Sequence, residues 1–271
     1  MNRWLDAYAD RFPDVTIDNT SDSTGVLGLA GPRAAAVLAA IAAPTNGTIP
    51  FMKLHTTQIQ GVDVRVLGLS FTGEAGYVVE FYHHHQCAAR GIARSRRPSH
   101  VDMSRYEVHC PLEHIQTVYD AVWRAGQAHG IENVGTFAVN AMRLEKGFRV
   151  WGADMNKDTT PLQAGLHRFV QLDKATPFVG QKALQQVLQS PCRSTPLFMF
   201  GAVGGAPWKL ENPRPPPHPL DAWGNEAVWH NGKVVGNTTS GGFGHIVNKS
   251  IAFAYVPTSL AVDGNHVQVE L

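Results

Sequence analysis

Ala141-Met-Arg-Leu-Glu-Lys-Gly147 runs directly into Phe148-Arg-Val-Trp-Gly-Ala-Asp-Met155, and the reading of this stretch decides the fold. Residues that favour helix extend from Phe137 to Lys146, and Gly147 is a natural helix stop. The segment therefore predicts a helix followed by a turn carrying two large aromatics, Phe148 and Trp151. Arg143 on that helix has two acidic candidates within reach, Glu145 and Asp154. The expectation is a structural ion pair with one of them, because such networks are common and need no catalytic role. Phe148 and Trp151 read as core residues rather than as the wall of a cofactor site.

Upstream of this stretch, strands and helices alternate. Val26 to Leu29 predicts a short strand, Gly31-Pro32 a turn, and Val37, Leu38 and Ile41 one face of a helix. Val62, Val64 and Val66 alternate with Asp63 and Arg65 and run on to Phe71, which predicts a half-buried strand, with a turn over Thr72 to Gly76. Tyr106 to Cys110 reads as another strand. Leu112, Ile115, Tyr119, Val122 and Trp123 then mark a helix that either Gly126 or Gly130 ends.

Downstream, a helix over Gln181 to Gln189 leads into an all-β tail. Ala227 to His230 and Lys233 to Gly236 flank Asn231-Gly232, the pair that favours a type I′ hairpin turn. Ser250 to Val256 and His266 to Glu270 predict two further strands. Two stretches fit no period: Tyr82 to His100, with His83-His84-His85 and a basic run, and the proline-rich Pro207 to Pro219.

Composition narrows the function classes. The chain has 271 residues, 44% hydrophobic and 17% charged, and a formal charge of +1. That balance is ordinary for a globular chain and offers no global field for nucleic acid. No apolar run approaches the roughly 18 residues that span a bilayer, so neither nucleic acid nor a membrane is an expected partner. The N-terminus carries no apolar signal core, and its Asp6, Asp10 and Asp14 speak against a transit peptide. Cys87, Cys110 and Cys192 fit neither disulfide nor metal spacing. The histidine triplet lacks a partner at ligand spacing, so no metal site is expected. There is no Gly-x-Ser-x-Gly elbow, phosphate-binding loop or Gly-x-Gly-x-x-Gly fingerprint.

Five segments in order carry the strongest signal: Ser70-Phe-Thr-Gly-Glu-Ala-Gly-Tyr77, residues 141–155, Thr159-Thr-Pro-Leu-Gln-Ala-Gly165, Phe178-Val-Gly-Gln-Lys-Ala-Leu184 and Asn231-Gly-Lys-Val-Val-Gly-Asn-Thr-Thr-Ser-Gly241. Together they resemble the aminomethyltransferase (glycine-cleavage T-protein) folate-binding family. Gly224-Asn-Glu and Ala252-Phe-Ala-Tyr-Val-Pro257 resemble the C-terminal half of its dimethylglycine dehydrogenase branch.

The resemblance implies an α+β fold: a truncated aminomethyltransferase-like folate-binding domain over residues 1–175, followed by a C-terminal antiparallel β-barrel module over 176–271. Residues 77–105 read as an insertion, because removing them restores the family pattern Gly-Glu-Ala-Gly-Tyr-Glu-Val-His; residues 190–217 read as irregular. The implied cofactor is tetrahydrofolate, with Phe71, Glu107, Val108, His109 and Arg168 as folate-binding residues. Glu107 is the family's candidate for a carboxylate that accepts the adjacent donors of a pterin, against the plainer reading of an exposed strand glutamate. Phe71 stands where relatives place Tyr, and Arg168 where they place an aromatic, so Arg168 could instead meet the folate's glutamate tail.

No catalytic residue is expected in this chain, since the family's catalytic Asp would lie upstream. So would the flavin domain, and FAD is not expected to bind here. The implied function is the tetrahydrofolate-binding half of a mitochondrial matrix enzyme of choline degradation. That enzyme oxidatively demethylates dimethylglycine and passes the one-carbon unit to folate. The alternative is a non-catalytic regulatory or binding module of the same fold, resembling the regulatory subunit of pyruvate dehydrogenase phosphatase.

Overall fold

A computed structural model describes residues 2–9, 11–42, 49–69, 78–81, 105–189, 197–201, 221–247, 249–261 and 265–270. It divides into two compact units, one within residues 1–135 and one within residues 136–271.

The first unit begins with helix α1 (Asn2–Ala9), followed by strand β1 (Thr24–Ala30), helix α2 (Ala34–Ile41), and strands β2 (Leu54–Ile59), β3 (Val62–Leu67), β4 (Val78–Phe81) and β5 (Arg105–Pro111). Helix α3 (Ile115–Gly126) closes it. The strands form one antiparallel sheet in the order β2-β3-β5-β1-β4. The predicted alternation along β3 is present: Val62, Val64 and Val66 are buried, and Asp63 and Arg65 are exposed. On β5, Tyr106, Val108 and Cys110 point into the same core, where Val37 and Leu38 of α2 and Val118 and Val122 of α3 cover them. Strand pleating requires this, since successive side chains leave opposite faces of a sheet. Burial pushes the Cys110 thiol up from its ordinary value, as expected of an inert core cysteine.

Three details differ from the sequence reading. The expected strand to Phe71 closes at Leu67, and Gly68 then exchanges backbone hydrogen bonds with Met52 and Lys53. The residues expected as an insertion carry β4 near their start and, with Arg105, the first residue of β5. β4 pairs antiparallel with β1, from Ala30 opposite Val78 to Leu27 opposite Phe81. Helix α3 ends at Gly126 and passes through a single 3-10 turn to Gly130, so both glycines take part in the stop. The turn expected over 72–76, the histidine triplet and the basic run lie outside the described residues.

The second unit contains helix α4 (Thr136–Glu145), helix α5 (Gln181–Gln189), and strands β6 (Leu197–Gly201), β7 (Ala227–His230), β8 (Lys233–Gly244), β9 (Lys249–Tyr255) and β10 (Gln268–Val269). Its sheet is antiparallel, in the order β10-β7-β8-β9-β6. Part of the stretch expected to be irregular thus supplies an edge strand, β6, which pairs with β9. The proline-rich run, Pro207 to Pro219, lies outside the described residues. The β7–β8 hairpin turns at Asn231 and Gly232, with φ of 50° and 73°. Both residues sit in the left-handed region that a type I′ turn demands, which explains the Asn-Gly pair.

Strand β9 is covered on both faces. Ile251 and Phe253 pack with Leu144 of α4, while Ala254 packs with Val228 and Val256 on the other side. Its unbroken apolar run is the sequence mark of such burial. Helix α4 packs on β8 and β9.

Val108 has no exposed surface. Deleting its two methyl groups should cost roughly 2–4 kcal/mol, whereas Glu107→Ala on the open face should stay within about 1 kcal/mol. Urea denaturation of the two variants beside the parent chain checks this.

Candidate functional site

Glu107 and His109 leave β5 on the face opposite Val108. The Glu107 Oε2 and His109 Nε2 atoms lie 3.2 Å apart, with the side chains 28% and 23% exposed. Residues two apart on a strand share a face, so the pairing follows directly from the sequence order. A carboxylate held at a sheet surface by one imidazole keeps lone pairs for further donors. The structure therefore brings Glu107 and His109 together and sends Val108 into the core, away from any ligand on their face. Phe71 lies outside the described residues. Arg168 belongs to the second unit.

That unit is built around one buried ion pair. Arg143 is 1% exposed and Asp154 has no exposed surface. Arg143 Nη1 donates to Asp154 Oδ2 at 2.5 Å and to the Phe148 carbonyl at 3.0 Å. Its Nε and Nη2 both donate to Asn140 Oδ1, at 2.9 and 2.7 Å. Asp154 is satisfied from every side. Its Oδ2 also accepts the Val150 N–H at 2.9 Å, and its Oδ1 accepts the hydroxyls of Thr239 at 2.6 Å and Ser240 at 2.5 Å. The Tyr255 hydroxyl donates to the Asp154 carbonyl at 2.7 Å. Burial pulls the Arg143 guanidinium below its ordinary range, and Asp154 opposes that pull through charge and hydrogen bond. Of the two acids the sequence offered Arg143, the structure selects Asp154. Glu145 instead accepts the N–H groups of Ile246 and Val247, at 2.7 and 3.2 Å, tying the end of α4 to the turn after β8.

Beside this network lies a cavity of about 410 Å³, lined by residues 146–149, Gly165, His167, Arg168 and Phe253. Two local structures place its charges. Thr160 and Gln163 bond each other reciprocally, the Thr160 N–H to Gln163 Oε1 at 2.8 Å and the Gln163 N–H to Thr160 Oγ1 at 3.2 Å. This capping-box arrangement shapes the turn that ends at Gly165. Gly165 has φ of 68°, and a Cβ there would stand 2.7 Å from Arg149 Nη2. Glycine is favoured there by the left-handed backbone. Arg168 is exposed, its guanidinium 4.7 Å above the Phe169 ring.

The aromatic expectation needs correcting. Phe148 is half-buried and lines the cavity, while Trp151 is 68% exposed and belongs to no core. Asp154 takes the interior beside Trp151, and two left-handed or turning residues, Gly152 and Ala153, separate them, so the tryptophan faces outward. Arg149 was missed in the sequence because nothing local marks an arginine as facing a cavity. Among the described residues, no group of three or more metal-ligating side chains occurs, and no helix is long and apolar enough to cross a membrane.

A sequence model of the GCVT N-terminal domain matches residues 1–94 and again 78–174, and one of the glycine cleavage T-protein C-terminal barrel domain matches residues 210–271. The chain belongs to the glycine cleavage T-protein family. Human mitochondrial dimethylglycine dehydrogenase is 38% identical over 99% of the chain and 26% of its own length. Human mitochondrial sarcosine dehydrogenase is 30% identical over 88% of the chain and 21% of its own length. An aminomethyltransferase of Caldanaerobacter subterraneus is 27% identical over 94% and 56%. The chain spans about a quarter of the length of the dehydrogenases it matches. The crystal structure of the glycine cleavage system aminomethyltransferase T from Bartonella henselae shares the fold, with a TM-score of 0.52 and 19% identity over 92% of this chain and 80% of that one.

In this T-protein chain the motif segments have a physical reason for standing together. Residues 141–155 supply Arg143 and Asp154, the Asn231–Gly241 segment supplies Thr239 and Ser240, and the 252–257 segment supplies Phe253 and Tyr255. Three separate stretches, with the Thr159–Gly165 turn, close on one buried pair and the cavity beside it. Removing one partner leaves a buried, uncompensated charge, so Asp154→Ala and Arg143→Met should each cost about 3–5 kcal/mol. The double variant should cost clearly less than their sum, since the second change removes the stranded charge. Chemical denaturation of the four chains of this cycle measures the coupling.

Proposed function

We propose that the chain is a tetrahydrofolate-binding module of a longer mitochondrial oxidoreductase of the dimethylglycine dehydrogenase type, in which a one-carbon unit from an N-methyl group passes to folate. The observation that carries this reading is the match to human dimethylglycine dehydrogenase, 38% identical over 99% of the chain. One feature of the structure supports it: Glu107, the family's candidate for the pterin carboxylate, leaves β5 on the face opposite the core and is 28% exposed.

The residues present fit the group. A pterin presents adjacent N–H donors on one edge, and a single carboxylate can accept both in a fork. Glu107 would take that edge, and its 3.2 Å contact with His109 holds the carboxylate in place from the same face. Tetrahydrofolate, when bound, supplies the nucleophilic nitrogens that accept a one-carbon unit. The chain's own residues bind and orient: Glu107 fixes the ring edge, His109 positions Glu107, and Val108 anchors the strand that carries both. Arg143 and Asp154 are engaged in structure and leave no buried acid or base free among the described residues to move a proton. Oxidation of the substrate falls to the part of the longer protein that this chain does not match.

A second reading has an observation of its own. The mitochondrial pyruvate dehydrogenase phosphatase regulatory subunit of mouse is 27% identical over 93% of the chain. On that reading the fold is kept for binding or regulation.

Calorimetric titration of the intact chain with tetrahydrofolate separates the two. Saturable binding is expected, weakened about 10- to 100-fold by Glu107→Ala, the loss of a charge-assisted acceptor. No binding by a chain that still melts cooperatively would reject the folate reading in favour of the regulatory one.

A further inference from the structure

Two aromatic side chains of the second unit stand together in water. Phe137, in the first turn of α4, is 76% exposed, and Trp223, ahead of β7, is 73% exposed. Their rings meet edge to face, with centroids 5.8 Å apart and planes at 73°. A lone exposed apolar residue needs no explanation, whereas contiguous ones mark a contact surface. The notch between the two rings is held by its surroundings. The Trp223 and Gly224 N–H groups both donate to Glu226 Oε1, at 2.8 and 3.1 Å, and Ala222 is buried. Phe137 rides on the helix that the Arg143–Asp154 pair fixes.

The chain carries a ligand for such a notch. Aromatic-lined grooves take polyproline II segments, which arrive already ordered and so lose little entropy on docking. Pro213-Arg-Pro-Pro-Pro-His-Pro219 is such a segment by composition, and it ends just ahead of Trp223 in the sequence. The points where the chain leaves and re-enters the second sheet are also fixed. Gly201 pairs with Ile251, and Asp221 Oδ1 accepts the Ser250 hydroxyl at 2.6 Å. Residues 202–220 therefore start and finish at neighbouring positions of β9. Half of that stretch, fully extended, spans roughly 30 Å, so the prolines can reach the pair without leaving the unit. Tethering sets their effective concentration in about the millimolar range, which fills a notch of weak intrinsic affinity. Charge agrees with this occupant: the run carries Arg214 and no acid, and Asp221 and Glu226 stand in the segment that holds Trp223.

We propose that Phe137 and Trp223 form a docking notch for polyproline II, and that its occupant is this chain's own run, Pro213 to Pro219. Two ring faces set nearly at right angles take one pyrrolidine between them, and the negative faces of the rings attract its C–H groups. The proposal is independent of folate binding.

The test uses the intact chain labelled with 5-fluorotryptophan, its fluorine resonances assigned through Trp223→Phe and Trp151→Phe. Trp151 is the control, since its side chain is about as exposed as that of Trp223. In the parent chain the Trp223 resonance is expected to respond less than that of Trp151 when water is exchanged for heavy water. Replacing Pro215, Pro216 and Pro217 together by alanine should move the Trp223 resonance and leave that of Trp151 in place. A synthetic peptide of residues 211–220, added to that variant, should return the Trp223 resonance saturably, and Phe137→Ser in the same background should weaken the peptide at least tenfold. Phe137 is exposed, so its replacement is expected to leave the melt unchanged. Equal solvent response of Trp223 and Trp151 in the parent would overturn the proposal without any proline variant. So would a Trp223 resonance indifferent to the proline replacement, or a peptide bound equally well after Phe137→Ser. A parent resonance that moves with protein concentration would give the notch to a second copy and overturn it too.

Discussion

A guanidinium and a carboxylate taken out of water together organise the second unit of this chain. Neither Arg143 nor Asp154 could be buried alone, because an isolated ion in the interior costs several kcal/mol after all relaxation. The pair is tolerated because its geometry leaves no valence idle: Asn140, Phe148, Val150, Thr239 and Ser240 complete the hydrogen bonds that the two ions cannot make to each other. The consequence reaches beyond stability. A helix, the turn after it and the middle of β8 are held to one register, since a shift of any of them would strand a charge.

The cavity exists because of that arrangement. The turn from Gly147 to Asp154 has to double back so that Asp154 can reach Arg143, and this leaves Phe148 and Arg149 along a wall that Gly165 and Arg168 complete. Polar satisfaction is nearly total around Asp154 and incomplete one turn away, at Arg149.

The first unit is governed by a different constraint, the two-residue period of a strand. Its alternation makes β5 a core element and a surface element at once, with Val108 sealing the sheet against α2 and α3 and Glu107 and His109 facing away. Grouping three consecutive residues as ligand contacts treats them as neighbours in space, but the pleat assigns the middle one to the opposite side. A ligand on the Glu107 face can meet the backbone of Val108 and not its side chain.

Much of the architecture was legible in the residues because it depends on short-range rules. The Asn231-Gly232 hairpin, the valine alternation of β3, the helix over Gln181–Gln189 and the apolar run of β9 each follow from periodicity or from a turn's need for positive φ. Glu107 and His109 could be paired from their spacing alone, and an ion pair for Arg143 could be expected with its partner undecided. What the sequence could not supply was the choice between Glu145 and Asp154, the outward turn of Trp151, the edge strand β4 within the residues read as an insertion and β6 within those read as irregular, and the facing of Arg149 into a cavity. Each of these depends on segments far apart in the chain: Thr239 and Ser240 lie 85 and 86 residues from the carboxylate they complete. Local propensity carries the elements, but burial of a charge is decided only where distant donors converge, and that convergence belongs to the tertiary structure.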